Sequence, residues 1–577
     1  MIRPILVLLA AASIFAQPSQ PPLEPAERTR WFRDAKFGIF IHWGVYSVIG
    51  RHEWARHRFE IPQAEYDKFA RSFNPVNFDA DTWVDIAKNA GARYMVITSK
   101  HHDGFSIFRS KVSDYDMEIT PYAGDPLKML ADAAKRKDMR LGFYHSIMDW
   151  HHPDYIPKRE WEVPGQKQGG NIDRYIEFMK AQLRELLTGY GDVAILWFDG
   201  EWEHSTEEMH SDEVFDMIRS MQPNTLINDR IYKRQPGNRA DYGTPEQFVP
   251  ATGMKDPSGK PILWESCVTI NTESWGYNKY ETEYKTVRDL IRMLIEVVSK
   301  GGNLLLNVGP TPDGRIQDEF VTRLNAMGRW MKVNSESIYE TTASPFTRLP
   351  FFGRATVKGN TLYLHVFQWP TSGELRVPGL KNNVQSARLL ADPSAKLSMR
   401  RDGDDVIVSL AATAPPDEIA SVVALVLDGP PSVAPYVIRP DAKGVFELGV
   451  ESSEIETRFE QRAKKENLLG HVYLTHWTRK DDVPAWVIQV PKPARYRVEM
   501  SYGATSGGVN APYTIVSGRS RLSGRVEKSS SGELVFHRHA VGKIRLQAGE
   551  QTLEVMPDIR RGIAPMNLEA VRLTPIE

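Results

Sequence analysis

From Glu24 to Ser335 short apolar runs alternate with amphipathic segments, and this alternation constrains the fold more than any other feature of the chain. Candidate strands fall at 37–43, 94–99, 141–145, 194–199, 225–229, 262–265 and 304–308. Candidate helices fall at 79–90, 126–137, 172–187, 207–221, 285–299 and 317–334. Repeated strand–helix alternation predicts an α/β fold with a parallel sheet, most simply a closed (β/α)8-like (TIM) barrel over residues 24–340. A doubly wound open sheet is the alternative. It would usually carry a Gly-rich turn after an early strand, and FIHWGVYS is not GxGxxG.

Past Ser344 the period changes to two. RATVKGNTLYLHVFQWP and DDVIVSLAA predict a small antiparallel β-domain over 345–430. Pro430, Pro431, Pro435 and Pro440 punctuate a linker, and residues 445–577 read as a C-terminal β-sandwich. At the other end, Arg3 precedes an apolar run from Ile5 to Ala16, too short for a membrane span and of the length of a secretory signal. Residues 1–16 are therefore expected to be a signal peptide, placing the mature protein in the periplasm or outside the cell, with no later membrane span. Cys267 is the only cysteine, so no intrachain disulfide can form, and no redox chemistry is expected.

Polar residues gather just past the apolar strand cores. They are His42-Trp43-Gly44, Lys100-His101-His102-Asp103-Gly104, Tyr144-His145, Trp197-Phe198-Asp199-Gly200-Glu201 and Asn228-Asp229-Arg230. In a barrel these five ends converge on one mouth, where active sites lie. Asp199 stands out, because a carboxylate among Trp197, Phe198 and Trp202 is costly unless it is paired or used. A helix-capping Asp is the structural alternative. Aromatics make up 10% of the chain and 14 residues are Trp, which suits stacking on sugars as well as core packing. The 72 basic and 73 acidic residues leave a net charge of −1, so nothing electrostatic points to nucleic acid.

The histidines at 101, 102, 145, 151 and 152 make a metal centre a competing reading. Against it, adjacent histidines on a strand point to opposite sides, and the barrel region has no HExxH, HxH or Cys–His spacing. His537 and His539 do form an HxH, on a predicted strand of the last block. No GxSxG marks a serine nucleophile, Cys267 reads as a buried small residue, and GPTPDG lacks the Lys-Ser/Thr of a phosphate loop. Metal and cofactor are both expected to be absent, with histidines acting as hydrogen-bonding groups toward a polyol.

The stretches WFRDAKFGIFIHWGVYSV, FDADTWVDIAKNAGARYMVITSKHHDGF, LGFYHSIMDWHHPDY, ILWFDGEW, LINDR, WESCVTINTESWGY and GGNLLLNVGPTPDG resemble, in this order, the α-L-fucosidases of glycoside hydrolase family 29. The resemblance covers about residues 25–335, and the small β-domain after it is also typical. It implies a (β/α) barrel that hydrolyses terminal α-L-fucose with retention, by double displacement through a covalent fucosyl-enzyme. It implies Asp199 as nucleophile and His42, His101, His102, Tyr144, Trp197 and Arg230 as fucose contacts. Glu53 in HEWAR matches a family Glu, with Ala55 where the family pattern has Tyr, and Trp275 in SWGY is a further pocket wall. For the acid/base, Glu246 in DYGTPEQ is preferred and Glu265 in LWESC is the alternative. The last block looks like an appended carbohydrate-binding sandwich.

The implied partner is a fucosylated oligosaccharide or glycoconjugate. The linkage is left open, with loops around 158–170 and 233–243 as aglycone contacts, and so is the oligomeric state, a homo-oligomer included. Two other functions are carried alongside: a retaining glycosidase for another sugar, and a non-catalytic sugar-binding protein on a decayed barrel. Intact Asp199, Glu246 and Glu265 argue against the latter.

Overall fold

A computed structural model describes residues 23–162, 169–272, 274–410, 414–456, 462–527, 532–559 and 562–576. The expected signal peptide, residues 1–16, lies outside the described residues. The strands of the first half are β1 (Phe37–Ile41), β2 (Tyr94–Lys100), β3 (Arg140–Ser146), β4 (Ile195–Asp199), β5 (Leu226–Ile227), β6 (Glu265–Thr269) and β7 (Asn303–Val308). They form one parallel sheet in the order β5-β4-β3-β2-β1-β7-β6. That order is the chain order read around a ring, with a cut only between β5 and β6. A doubly wound sheet would instead reverse direction at a switch point, so the open-sheet alternative falls.

The cut is filled by an irregular extended segment. Asp241 N donates to Ile227 O at 2.9 Å and Asp229 N to Tyr242 O at 3.0 Å on the β5 side. On the β6 side Glu265 N donates to Gly243 O at 2.9 Å and Gln247 N to Cys267 O at 2.9 Å. Residues 241–247 thus bridge both edges and carry Glu246 into the ring.

The strands are buried along almost their whole length, as a sheet covered by helices requires. Four of the α-helices start where a side chain caps free amides. Asp79 accepts from Thr82 N ahead of the helix Ala80–Ala90, and Asp125 from Lys128 N ahead of Pro126–Arg136. Asn171 caps Ile172–Gly189, and Thr286 with Asp289 forms a capping box on Val287–Ser299. The helix expected from residue 207 begins at Ser211, because His210 takes a left-handed backbone (φ 49°). Two strand expectations also shift. The fifth strand is cut to Leu226–Ile227 because Asp229–Tyr232 winds into a 3₁₀ turn. The sixth begins at Glu265 rather than ending there, because its ladder with β7 runs from Glu265–Asn303 to Thr269–Asn307.

The following β-structure comprises a four-stranded and a three-stranded antiparallel sheet over residues 353–427, then a six-stranded and a five-stranded sheet over 446–576. Each pair of sheets encloses its own apolar core, the second around Trp477 and Trp486. One barrel helix ties the parts together. Arg292 on Val287–Ser299 donates to Phe367 O at 2.9 Å, Ile419 O at 3.0 Å and Asn467 Oδ1 at 2.9 Å.

Candidate active site

The C-terminal ends of the strands surround a cavity of about 180 Å3. β1 delivers Phe40 and, one residue past its end, His42; the turn after β2 delivers His101 and His102. β3 delivers Tyr144, β4 Trp197 and Asp199, and the turn after β5 Arg230. The closing segment adds Glu246, β6 adds Cys267, and the loop beyond β6 adds Trp275. Trp54 and Trp202 complete the wall. Both histidines of the pair face the cavity because they lie past the last strand residue, Lys100, where strand alternation no longer holds.

Asp199 ends β4, and Gly200 turns the chain with φ 79°. A Cβ at Gly200 would lie 2.7 Å from the Cβ of Met148, so the turn beside the carboxylate admits only glycine. Arg230, 2% exposed, holds the two acids together. One terminal nitrogen donates to Asp199 Oδ1 and the other to Glu246 Oε2 at 2.8 Å. Its guanidinium lies 4.3 Å from the Trp197 ring centre, and Nε donates to Thr244 Oγ1 at 3.2 Å. Tyr144 OH donates to Asp199 Oδ2 at 2.9 Å, its ring stacked on Trp197 at 5.7 Å. Burial would push the Asp199 carboxyl up, but the Arg230 charge, His102 and these hydrogen bonds outweigh it and hold it at about 2. Asp199 is therefore ionised at neutral pH.

The hydrogen-bond partners of two histidines set their tautomers. Asn307 Nδ2 donates to Trp275 O at 2.7 Å, which turns Asn307 Oδ1 toward His42 Nδ1 at 2.7 Å. His42 Nδ1 must then carry the proton. Ser146 Oγ donates to Met148 O at 2.6 Å, so it accepts from His102 Nδ1, also at 2.6 Å. Both rings thereby keep Nε2 as an acceptor. Burial lowers His42 to about 3 and His102 to about 4, so both stay neutral. The third, His101, is driven well below its usual range by burial, and its buried Nδ1 has no hydrogen-bond partner among the described residues.

Two of the expected site carboxylates stand outside the cavity. Glu53, 1% exposed, accepts from Trp275 N at 2.8 Å and Gly276 N at 3.0 Å, so it fixes the loop that presents Trp275. Glu265 sits beneath the floor, accepting from Trp197 Nε1 at 3.0 Å and from Tyr94 OH. Burial raises both to about 7. The remaining expected residues, His42, His101, His102, Tyr144, Trp197, Asp199, Arg230, Glu246 and Trp275, all line the cavity.

Phe40, Trp54, Trp202 and Cys267 line it too and were not among the expected contacts. Trp54 follows Glu53 directly, and only the parity of that turn decides which of the two faces inward. Cys267 is a wall residue, its thiol pushed up by burial. Among the described residues no group of three or more His, Cys, Asp or Glu is placed to hold a metal ion, and no helix is long and apolar enough to cross a membrane.

The α-L-fucosidase family model matches residues 8–336, more than half of the chain. Plasma α-L-fucosidase of Homo sapiens is 32% identical over 393 residues, 62% of this chain and 80% of that protein. The crystal structure of an α-L-fucosidase from Vibrio sp. strain EJY3 matches with a TM-score of 0.74 at 27% identity, over 95% of this chain and 97% of that one. The likeness therefore extends past the barrel into the C-terminal β-structure. A family 29 α-L-fucosidase of Bacteroides thetaiotaomicron, trapped as a covalent intermediate with 2-fluoro-fucosyl fluoride in a Glu-to-Gln variant, matches with a TM-score of 0.64 at 29% identity, over 72% of this chain and 99% of that one.

Proposed function

Because the chain belongs to the α-L-fucosidase family, we propose that it cleaves terminal α-L-fucose from glycans with retention of configuration, Asp199 acting as nucleophile and Glu246 as acid/base. The observation that carries this reading is the shared guanidinium. Arg230 meets both carboxylates with its two terminal nitrogens, so the acids stand a few ångströms apart across one cavity. Retaining glycosidases need about 5–5.5 Å between them.

The chemistry follows from the two environments. Asp199, ionised and deep, attacks C1 of the sugar. The C1–O bond breaks with its electron pair going to the leaving oxygen, which takes the proton Glu246 must carry at that step. Asp199 is now a glycosyl ester and Glu246 an anion. Glu246 next takes a proton from water, the oxygen attacks C1, and Asp199 departs as carboxylate. Two inversions leave the configuration as it began.

Selectivity rests on the walls. Nε2 of His42 and of His102 accept from sugar hydroxyls, and a sugar whose hydroxyls point elsewhere leaves them unpaired. Phe40 lies 5.0 Å from Trp197 and 6.0 Å from Trp275 by ring centres, an apolar corner suited to the C6 methyl of fucose. A cavity of about 180 Å3 is below the ~300–1,000 Å3 of sites for drug-sized ligands and suits one terminal ring. The apolar run from Ile5 to Ala16 supports export, to be checked by N-terminal sequencing of the protein recovered from outside the cytoplasm.

The test uses 4-nitrophenyl α-L-fucoside beside the matching galactosides, with the first-formed anomer followed by NMR. Release from the fucoside with α-fucose appearing first is expected. Preference for a galactoside would reassign the sugar, and β-fucose appearing first would remove retention.

A further inference from the structure

Two arginines face Glu246, and both face the same oxygen. Arg230 donates to Oε2 at 2.8 Å, and a terminal nitrogen of Arg234 lies 3.8 Å from that Oε2. Backbone and side chain together aim Arg234 there. Lys233 (φ 54°) and Arg234 (φ 56°) are consecutive residues in the left-handed region, a conformation costly for any residue with a Cβ. The strained pair is tied back to the turn Asp229–Tyr232, with Lys233 N donating to Arg230 O at 2.9 Å and Arg234 N to Asp229 O at 3.0 Å. Gln247, directly after Glu246, is left-handed as well (φ 62°). Glu201, 6% exposed, accepts from Arg234 Nε at 3.1 Å through Oε1, while its buried Oε2 has no hydrogen-bond partner among the described residues. A buried carboxylate oxygen left unpaired costs stability. Backbone strain and an under-satisfied acid thus converge on the orientation of one guanidinium beside Glu246.

We propose that Arg234, anchored by Glu201, is a positioning residue for Glu246, fixing Oε2 between two guanidiniums so that Oε1 carries the proton to the leaving oxygen. The proposal rests on the fucosidase reading with Glu246 as acid/base, and adds to it which residues orient that acid. A guanidinium only donates, so an oxygen that faces two of them has no room for a proton of its own. The proton therefore sits on Oε1. When the Oε1–H bond breaks, its electron pair stays on the carboxylate, and Oε2 meets the new charge with donors already in place.

The experiment compares kcat/KM for a fucosyl-hexopyranose disaccharide, whose leaving oxygen needs a proton, with that for α-L-fucosyl fluoride, whose leaving group does not. In Arg234→Met the ratio of disaccharide to fluoride should fall about tenfold, and Arg234→Lys should recover part of it. Glu201→Ala, which frees Arg234 without removing it, should lower the ratio in the same direction. Activity on the fluoride shows that each variant is folded. Placed in the Glu246→Ala background, Arg234→Met should lower the ratio no further, because the acid it positions is gone. An equal fall on both donors, no fall on either, or a full additional fall in the Glu246→Ala background overturns the proposal while leaving the fucosidase reading intact. Wild-type protein that hydrolyses neither donor defeats the reading itself, and the role of Arg234 with it.

Discussion

The side-chain oxygen of Asn307 lies 2.7 Å from Nδ1 of His42, and this one contact decides which nitrogen of the imidazole meets the ligand. The two residues come from adjacent strands, β7 and the end of β1. Replacing Asn307 by Asp puts a negative charge beside Nδ1–H and favours the imidazolium, so the His42 pKa should rise from about 3. Protonation removes the Nε2 acceptor. The acidic limb of kcat/KM should therefore move to higher pH by at least about one unit. A limb that stays in place would mean that substrate binding does not need neutral His42.

Asp199→Gly should lower kcat by about 10⁴-fold or more on aryl fucosides, since among the described residues the only other carboxylate lining the cavity is Glu246, which serves as acid/base. Added azide is small enough to enter the space left behind. It should restore turnover and yield β-fucosyl azide, one inversion from the α-substrate. Activity near that of the wild type would strip Asp199 of its role.

Glu246 and Glu265 separate by leaving-group dependence. Glu246→Ala should cost about 10²–10⁴-fold on a disaccharide and far less on a 2,4-dinitrophenyl fucoside, which departs without a proton. Glu265→Gln should show no such split, because Glu265 accepts from Trp197 Nε1 at 3.0 Å and does not line the cavity. The reverse pattern would exchange the two assignments.

Glu265 should also tilt stability against pH. Its carboxyl is raised by burial to about 7, against 4.5 when unfolded. Between those values the folded protein binds more protons than the unfolded chain, so stability falls as pH rises through this window and stays lower above it. At about 1.4 kcal/mol per pH unit the loss is on the order of 3 kcal/mol. Glu265→Gln removes this contribution, while Glu53, also raised to about 7, keeps its own. Thermal midpoints measured from pH 4.5 to 8 should fall less steeply in the variant. Parallel curves would show that Glu265 is charged when buried.

Much of the architecture is local information. A strand covered on both faces needs an unbroken apolar run, and ILWFDG and NLLLNV declare themselves that way. Helix starts are equally local, since Asp79, Asp125 and Thr286 cap amides within three residues of themselves. Even the convergence of His42, His102, Asp199 and Arg230 follows from strand ends meeting at one mouth.

What the one-dimensional pattern left undecided is which side chains face inward, because that depends on pairing between distant segments. Glu265 follows an apolar run as a strand-end acid would, yet the ladder to Asn303 makes it the first residue of β6 and buries it under Trp197. Glu246 lies in a stretch with no periodicity, and it reaches the cavity only because residues 241–247 close the ring between β5 and β6. The tautomer of His42 depends on a residue 265 positions away. The sequence by itself determined a barrel and a cluster of acids, histidines and indoles at its mouth. Register and ring closure, which are long-range, decided which acid meets the ligand and which nitrogen accepts from it.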